Sequence, residues 1–343
     1  MRNWLFTALT TLTVLTSAVE PSRPVAAQSF YEGKTIRVIV GLAPGGGFDT
    51  YARVIARHMG KHIPGAPTLV VENMPGAGSL IAANHIYKVA KPDGLTIAKF
   101  NGPLMMGQVL GQPGIEFDAR KFEFIGAAVT EDVVCALTKA SGVTSVEKWM
   151  ASTTPVKLGS IAPGTSPENT ARLLKATLGL PIQVVSGYKG TAEIRLAADG
   201  GEVAGACWSW ESMRATWRHA LETGNAIPVL QVTAKPFPDL ANVPLAINLA
   251  KTAEARQLLQ VGVQNAAVFA RPFVLPPGTP KERVQLLRRA FQDTLKDSAF
   301  LAEAEKAKLT IGPVTGEELE KVVGELFTLD AALVAKLKAI LQN

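Results

Sequence analysis

The feature that most constrains the fold is a repeated unit in which an apolar strand leads through a glycine-rich turn into a helix. The β-branched run Thr35–Gly41 is followed by the turn Ala43–Gly47, and apolar residues then recur at helical spacing over Tyr51–Met59. Further strands are predicted over Leu69–Asn73 and Leu95–Phe100, with a helix between them. Strands and helices that alternate through glycine-rich turns predict an α/β fold with an open parallel sheet.

The same pattern begins again in the second half of the chain, after an extended stretch over Phe124–Lys139. A Pro-rich connector over Pro272–Pro280 then leads into helices, the third of which opens with a typical capping sequence at Thr315. The later predicted strands are Val156–Ser160, Ile182–Ser186, Val203–Trp208 and Ile227–Thr233, and the later predicted helices are Glu168–Leu178, Ala192–Ala198, Lys281–Leu295, Ala299–Ala307, Thr315–Leu326 and Ala331–Leu341. A chain of 343 residues with two such units is typical of two domains.

One turn recurs with the same spacing in both units. The pattern Ala-Pro-Gly, six residues, Ala-Arg occupies Ala43–Arg53 and again Ala162–Arg172, each time between a predicted strand and a predicted helix. The repeat is either a coincidence in a chain rich in Gly and Pro, or a sign of two lobes that point helix N-termini at a shared ligand. Unpaired N–H groups and the helix dipole make a helix N-terminus a binding site for anions, so the second interpretation predicts an acidic ligand.

Composition and missing motifs exclude several classes of function. The chain has 35 Lys and Arg against 29 Asp and Glu, and the basic residues form no block of the kind that binds nucleic acid. The sequence contains no phosphate-binding loop, no dinucleotide fingerprint, no H-E-x-x-H metal motif and no G-x-S-x-G nucleophile turn. We therefore predict no cofactor, no metal, no nucleic-acid partner and no catalytic residues.

The N-terminal segment has the organisation of a secretory signal peptide. Met1–Asn3 is a short basic start, Trp4–Val19 is apolar and uncharged, and Val25–Ala27 supplies small residues for cleavage. A membrane anchor is the alternative, but the apolar run is shorter than the about 20 residues that span a bilayer. We predict that residues 1–27 are removed and that the mature protein is exported to an oxidising compartment.

Two cysteines and three tryptophans lie in or near predicted strands of the second unit. In an exported protein, Cys135 and Cys207 are either two buried thiols or a disulfide. Trp208, Trp210 and Trp217 either pack the interior or form one wall of a binding cleft.

Several motifs occur in the order found in one family of receptors. The segments Lys34–Arg53, Val70–Gly78 (VVENMPGAG) and Lys91–Gly94 (KPDG) resemble the tripartite tricarboxylate transporter substrate-binding family, also called Bug receptors. Further matches are Ser186–Thr191 (SGYKGT), Gly200–Val203 (GGEV) and Pro277–Pro280 (PGTP). The resemblance implies a two-lobed periplasmic binding protein fold of type 2, which closes like a flytrap on a small carboxylate and delivers it to an integral-membrane permease pair.

The resemblance also implies how the chain divides. Lobe 1 would comprise residues 28–131 plus 266–343, and lobe 2 would comprise residues 132–265. Two hinge-crossing strands, near Val134 and Val268, would join the lobes. In folds of this type the first crossing strand lies beside the third strand of lobe 2, which would place Cys135 next to Cys207 and favours a disulfide.

The family's ligand-binding loops can be assigned to positions of this chain. Asp49 is also expected to order the start of the first helix. The assigned residues, to which we add Trp208 from the tryptophan cluster, are Ala43, Pro44, Gly45, Gly46, Gly47, Phe48 and Asp49 after the first strand, Asn101 and Gly102 after the third, and Ser160, Gly164, Thr165, Ser166, Tyr188, Lys189, Gly190 and Thr191 in lobe 2. The chain departs from the usual family pattern at Phe48, at Ile161–Thr165 and at Ala204, which bears on the identity of the ligand.

The leading hypothesis for function is a periplasmic receptor, working as a monomer, that captures a small organic carboxylate. One alternative is a receptor or sensor without a permease of its own, or one that serves another transporter class. A second alternative is a hydrolase or isomerase on a similar two-lobed scaffold, which would consume its ligand.

Overall fold

The computed structural model describes residues 30–342, and the predicted signal peptide lies outside them. The strands of this part of the chain form two mixed sheets. They are β1 (Thr35–Val40), β2 (Thr68–Asn73), β3 (Thr96–Lys99), β4 (Glu123–Ala127), β5 (Val133–Thr138), β6 (Val156–Gly159), β7 (Ile182–Val185), β8 (Gly205–Ser209), β9 (Ala226–Gln231), β10 (Phe273–Leu275) and β11 (Val314–Thr315).

Each sheet has a parallel part and an antiparallel part. The first sheet has the order β11-β4-β10-β3-β1-β2, and the second has the order β7-β6-β8-β5-β9. Strand β1 pairs in parallel with β2 and β3, and β6 pairs in parallel with β7 and β8, as the strand–turn–helix units predict. The sheets are mixed because β10 and β5 each enter their sheet antiparallel to their neighbours.

Helices cover both faces of the parallel strands. In β1 the side chains of Ile36 and Val38 pack into one apolar core and Ile39 packs into the other, as expected of a strand that is buried on both faces. The helices are α1 (Gly47–Met59), α2 (Leu80–Lys88), α3 (Pro103–Val109), α4 (Val146–Met150), α5 (Ser166–Leu178), α6 (Thr191–Asp199), α7 (Trp210–Thr216), α8 (Arg218–Glu222), α9 (Ala246–Leu249), α10 (Ala253–Leu259), α11 (Ala266–Phe269), α12 (Lys281–Thr294), α13 (Ser298–Lys306), α14 (Gly316–Leu326) and α15 (Ala331–Leu341).

The predicted cap of α14 is confirmed. The Thr315 side chain accepts a hydrogen bond from the backbone N–H of Glu318 (3.2 Å), and the Glu318 carboxylate accepts one from the backbone N–H of Thr315 (2.7 Å). This reciprocal pair satisfies two N–H groups that the helix start leaves without intrahelical partners.

Two segments connect the sheets. Residues 128–132 lead from β4 in the first sheet to β5 in the second, so the extended stretch Phe124–Lys139 is divided between the sheets. The second connection, which leads back to the first sheet, differs from the prediction. Val268 lies in helix α11, which follows a π-helical turn over Gln260–Gln264. The run around Val268 is alanine-rich, and a short apolar run cannot be assigned to a strand or a helix by periodicity alone.

The last helix belongs to the contact between the lobes. Helix α15 packs against α5 of the second lobe, and Lys336 forms an ion pair with Glu254 at 2.8 Å. Gln342, just after this helix, donates a hydrogen bond to the carbonyl of Leu110. The C-terminal segment therefore contacts elements of both lobes.

A disulfide crosses the centre of the second sheet. Cys135 of β5 and Cys207 of β8 are directly opposite each other in an antiparallel ladder, and their sulfurs are bonded at 2.04 Å. Both residues are buried. Within residues 30–342, no helix combines the length and apolar character needed to cross a membrane, and no cluster of three metal-binding side chains occurs.

Candidate ligand-binding site

The loops that follow the parallel strands of the two sheets face each other and are in contact. The backbone N–H of Ala43, after β1, donates to the carbonyl of Lys189, after β7, at 3.1 Å. The Asn101 side chain, after β3, donates to the carbonyl of Gly164, after β6, at 2.8 Å. Because carboxyl-terminal strand ends are the usual ligand-binding edge of α/β sheets, these contacts define a cleft between the lobes.

Three long helices begin at this cleft. Helix α1 follows Gly46, α5 follows Thr165 and α6 follows Gly190, and in the described part of the chain no side chain of these three residues caps its helix. The starts of α1 and α6 are close together, since a Cβ atom on Gly46 would lie 2.9 Å from the Thr191 hydroxyl, and the turn before α5 contacts lobe 1 through Asn101. The cleft therefore gathers unpaired backbone N–H groups and the positive ends of helix dipoles, which together favour an anion.

Asp49 orders the glycine-rich loop from within. Its carboxylate accepts hydrogen bonds from the backbone N–H of Gly45, the guanidinium of Arg53 and the amide of Asn73, each at 3.0 Å. Burial opposes ionisation of Asp49, but these hydrogen bonds outweigh it and hold the pKa below its ordinary value. Asp49 is thus paired within the protein itself, and its expected role at the helix start agrees with these contacts.

Other residues of the first-lobe loops lie at different depths. Pro44 and Gly45 are exposed, and Gly45 has the positive φ (+82°) that its turn requires. Phe48 is buried beneath the loop. Gly102 is packed closely against the return segment, because a Cβ atom there would overlap the carbonyl of Phe269.

In lobe 2, the loop after β6 has buried polar groups. Ser160 is fully buried, and its hydroxyl has no hydrogen-bond partner among residues 30–342. The Thr165 hydroxyl donates to the carbonyl of Ala162 at 2.6 Å and so closes the turn locally. Ser166 is the buried first residue of α5. An unpaired buried hydroxyl is uncommon, which marks Ser160 as a candidate ligand contact.

The loop after β7 contacts the first lobe mainly through its backbone. The Tyr188 hydroxyl donates to Glu202 at 2.6 Å, and its pKa is raised to about 12 by burial and by that carboxylate. The Lys189 side chain is exposed, while its carbonyl accepts the hydrogen bond from Ala43. Gly190 and Thr191 form the start of α6 at the cleft.

Trp208 packs in the interior of lobe 2. Its ring stacks on Trp217 at a centroid distance of 5.3 Å, and only 2% of the residue is exposed. Its indole N–H has no hydrogen-bond partner within the described residues. Of the two interpretations of the tryptophan cluster, packing therefore describes the Trp208 ring.

The structure adds charged residues beneath the loops that sequence reasoning missed. Arg271, which precedes β10, forms an ion pair with Glu131 of the other crossing segment at 2.9 Å, and both are almost completely buried. Lys99, the last residue of β3, is also buried, with its ammonium 4.9 Å from the ring centre of Phe48. Burial, with Arg271 nearby, lowers the pKa of Lys99 well below its ordinary value.

The only signal in the sequence for these residues is a charge inside an apolar run. Arg271 interrupts VFARPFVL, and Glu211 follows two tryptophans. Such a charge is exposed if the run is a surface strand and buried if the run crosses between lobes. Arg271, Glu131 and Lys99 come together only through the packing of the crossing segments, and the periodicity of the sequence does not specify that packing.

Comparison with known proteins identifies the family. The family model described as a tripartite tricarboxylate transporter family receptor matches residues 51–338. A UPF0065 protein of Agrobacterium vitis is 30% identical over 190 residues, which are 53% of this chain and 52% of that protein. A UPF0065 protein of Bordetella bronchiseptica is 26% identical over 131 residues, 38% of each chain. The matches thus span about half or less of the length of these two relatives.

Solved structures share the fold at low sequence identity. The periplasmic binding protein BugD superposes with a TM-score of 0.73 at 20% identity, over 90% of this chain and 99% of that chain. MatC of Rhodopseudomonas palustris with bound malate has a TM-score of 0.70 at 21% identity, over 88% and 99% of the chains. A second R. palustris protein, solved with adipate, has a TM-score of 0.70 at 22% identity, over 90% and 98%.

The expected family and fold class are therefore confirmed. The family model covers most of the chain, and the two mixed sheets form the two lobes of a periplasmic binding protein. The protein belongs to the tripartite tricarboxylate transporter receptor family.

Proposed function

We propose that this protein is a periplasmic receptor that captures a small organic carboxylate between its two lobes. The observation that carries the proposal is the meeting of three uncapped helix starts, after Gly46, Thr165 and Gly190, at one cleft. A helix N-terminus stabilises an anion by about 0.3–1 kcal/mol when exposed and up to about 2 kcal/mol when partly buried. Three such termini around a carboxylate bind it without a cationic side chain in direct contact.

The relatives support a carboxylate as the ligand class. Structures that share this fold hold malate in one case and adipate in another. Membership of the family supports delivery of the ligand to the integral-membrane subunits of a tripartite transporter. We further propose that the protein works as a monomer, that residues 1–27 direct export, and that the ligand leaves chemically unchanged.

The proposed site consists of the loops that meet at the cleft. The glycine-rich loop Ala43–Asp49 and Asn101 come from lobe 1, and residues 160–166 and 188–191 come from lobe 2. The Ser160 hydroxyl, buried without a partner in the described chain, is the side chain that we place closest to the ligand. Gly102, Tyr188 and Lys189 contribute to the shape of the cleft through their backbones.

The test is binding to protein purified from the periplasm, then stripped of ligand by unfolding and refolding with the disulfide intact. Isothermal titration with a panel of mono- and dicarboxylates is expected to give one site per chain for at least one acid. At a ligand concentration of 100 times Kd, the bound acid stabilises the folded protein by about 2.7 kcal/mol, which a thermal melt detects. Recovery of the acid unchanged after prolonged incubation supports a receptor, whereas its consumption supports the enzyme alternative. If no acid of the panel binds, the proposal is wrong.

A further inference from the structure

The buried side chain of Arg271 lies beneath the loops of the cleft. We call Arg271 and its neighbours Glu131, Ser209, Glu211 and Ser212 the floor of the cleft. The Nε atom of Arg271 donates to Glu131 at 2.9 Å, and its Nη2 atom donates to the hydroxyl of Ser209 at the end of β8. Arg271 therefore links both crossing segments to the second lobe. Glu131 also lines a small cavity, together with Ser166 and Asn169 of α5.

Three polar atoms of this floor have no hydrogen-bond partner among residues 30–342. They are Nη1 of Arg271, Oε2 of Glu211 and Oγ of Ser212. The three residues are 2%, 1% and 1% exposed, so bulk water does not satisfy these atoms. Leaving a buried polar group unpaired costs about 1–3 kcal/mol, and more when it is charged, so three in one place indicate a partner that is not part of the chain.

The three residues are neighbours beneath the glycine-rich loop, because the Ser209 hydroxyl accepts from Arg271 Nη2 and from the backbone N–H of Ser212, which follows Glu211. The Arg271 guanidinium is 5.2 Å from the ring centre of Phe48, and a Cβ atom on Gly47 would lie 2.7 Å from the Cβ atom of Ser212. Among charged groups, Arg271 acts most strongly on the Glu211 carboxyl. The three residues thus lie directly beneath the loop at which we place the ligand carboxylate.

The mixture of charges selects the chemical group that fits. A second carboxylate here would meet Glu131 and Glu211, and Arg271 is already paired with Glu131. An ammonium would meet Arg271 and Lys99, which lie close enough to lower the pKa of Lys99. A ligand hydroxyl is neutral, and its oxygen can accept from Arg271 Nη1 while its hydrogen is donated to Glu211.

We propose that Arg271, Glu211 and Ser212 form a subsite that recognises a hydroxyl group on the bound acid, so that the receptor prefers hydroxycarboxylates. This inference rests on the proposed function, because it assumes a carboxylate held at the helix starts above the floor. Arg271 donates to the hydroxyl, Glu211 accepts from it, and Ser212 supplies a further hydroxyl contact.

The experiment compares acids that differ only by a hydroxyl group. Lactate is compared with propionate, 3-hydroxybutyrate with butyrate, and malate with succinate, each by isothermal titration of stripped protein. We expect at least one hydroxy acid to bind at least tenfold more tightly than its partner. If acids bind but every ratio is near one, the subsite inference is wrong and the proposed function stands. If no acid binds, the proposed function itself fails.

Variants of the floor residues test whether those residues cause the preference for hydroxy acids. Glu211→Met removes the acceptor at similar size and is expected to bring the ratio to near one, whereas Glu211→Gln keeps an acceptor oxygen and is expected to keep a preference. Ser212→Ala, a smaller change, is expected to lower the ratio of the two affinities. It provides the test if Glu211→Met does not fold. Glu147→Met, at an exposed position of α4, is the matched control and should leave the ratio unchanged. A full preference retained in both Glu211→Met and Ser212→Ala would overturn the assignment.

Discussion

The contact between the two lobes requires a residue without a side chain at position 47. We therefore expect Gly47→Ala to disfavour closure of the lobes. Gly47 is the first residue of α1, and it lies against Ser212 of the opposite lobe. An added Cβ atom would lie 2.7 Å from the Ser212 Cβ atom and closer still to its hydroxyl. The methyl group therefore cannot be accommodated while the lobes are in this contact, and we expect separation of the lobes to remove the overlap.

Gly47→Ala should stabilise the open state of the protein and destabilise the closed state. In the open state, alanine is favoured over glycine within a helix by about 0.5–1 kcal/mol. In the closed state, overpacking of this kind costs about 1–3 kcal/mol, which corresponds to a loss of ligand affinity of about 5- to 150-fold. We expect Gly47→Ala to melt at an equal or higher temperature without ligand and to bind ligand more weakly.

The assay is isothermal titration with an acid that lacks a hydroxyl group, so that the Ser212 side chain is not itself tested. Adding Ser212→Gly should restore affinity, because the nearest remaining atom, the Ser212 Cα, is 3.4 Å away. Adding Ser212→Ala should not, because the Cβ atom remains. Gly324→Ala, inside helix α14 with open space around it, is the control. Unchanged affinity in Gly47→Ala would refute the reasoning.

Three further predictions concern the loop, the floor and the disulfide. Asp49→Asn weakens the hydrogen bonds that order the glycine-rich loop, and ligand affinity measured by titration should fall at least tenfold; an unchanged Kd contradicts this role. Burial raises the pKa of Glu211 to about 7, against the lowering effect of Arg271. The folded protein then holds a proton that the unfolded chain has lost, so stability falls as pH rises from about 4.5 to about 7, by about 3 kcal/mol at most. Chemical unfolding at several pH values should show a smaller fall in Glu211→Gln, and equal falls contradict the assignment. Replacing Cys135 and Cys207 by alanine opens a loop of 72 residues and should reduce the free energy of unfolding by about 4 kcal/mol. A loss below about 1 kcal/mol contradicts that entropic account.

Local chemistry made the strand–turn–helix units predictable from the sequence. The run before Gly41 is β-branched, the glycines that follow permit a tight turn, and Asp49 stands in the first turn of a helix, so each neighbour favours the same structure. The capping box at Thr315 depends only on residues within three positions. The pairing of Cys135 with Cys207 is different, because it came from the resemblance to a family and not from spacing.

Features that depend on packing between distant segments were missed. A crossing strand was predicted near Val268, but this residue lies in a helix. The hydrogen bond from the Tyr188 hydroxyl to Glu202 is a contact of this kind. Arg271 and Glu131 are 140 positions apart and meet only when both crossing segments are in place. The glycine-rich motifs thus predict the rim of the cleft, whereas its floor follows from the tertiary structure.

Native mass spectrometry of protein purified from the periplasm tests the central claim most directly. The protein is measured before and after ligand stripping, and the molecule that leaves is identified. We expect one small carboxylate per chain, released unchanged and carrying a hydroxyl group. A released molecule without a carboxylate would contradict the assignment of the helix starts as an anion site.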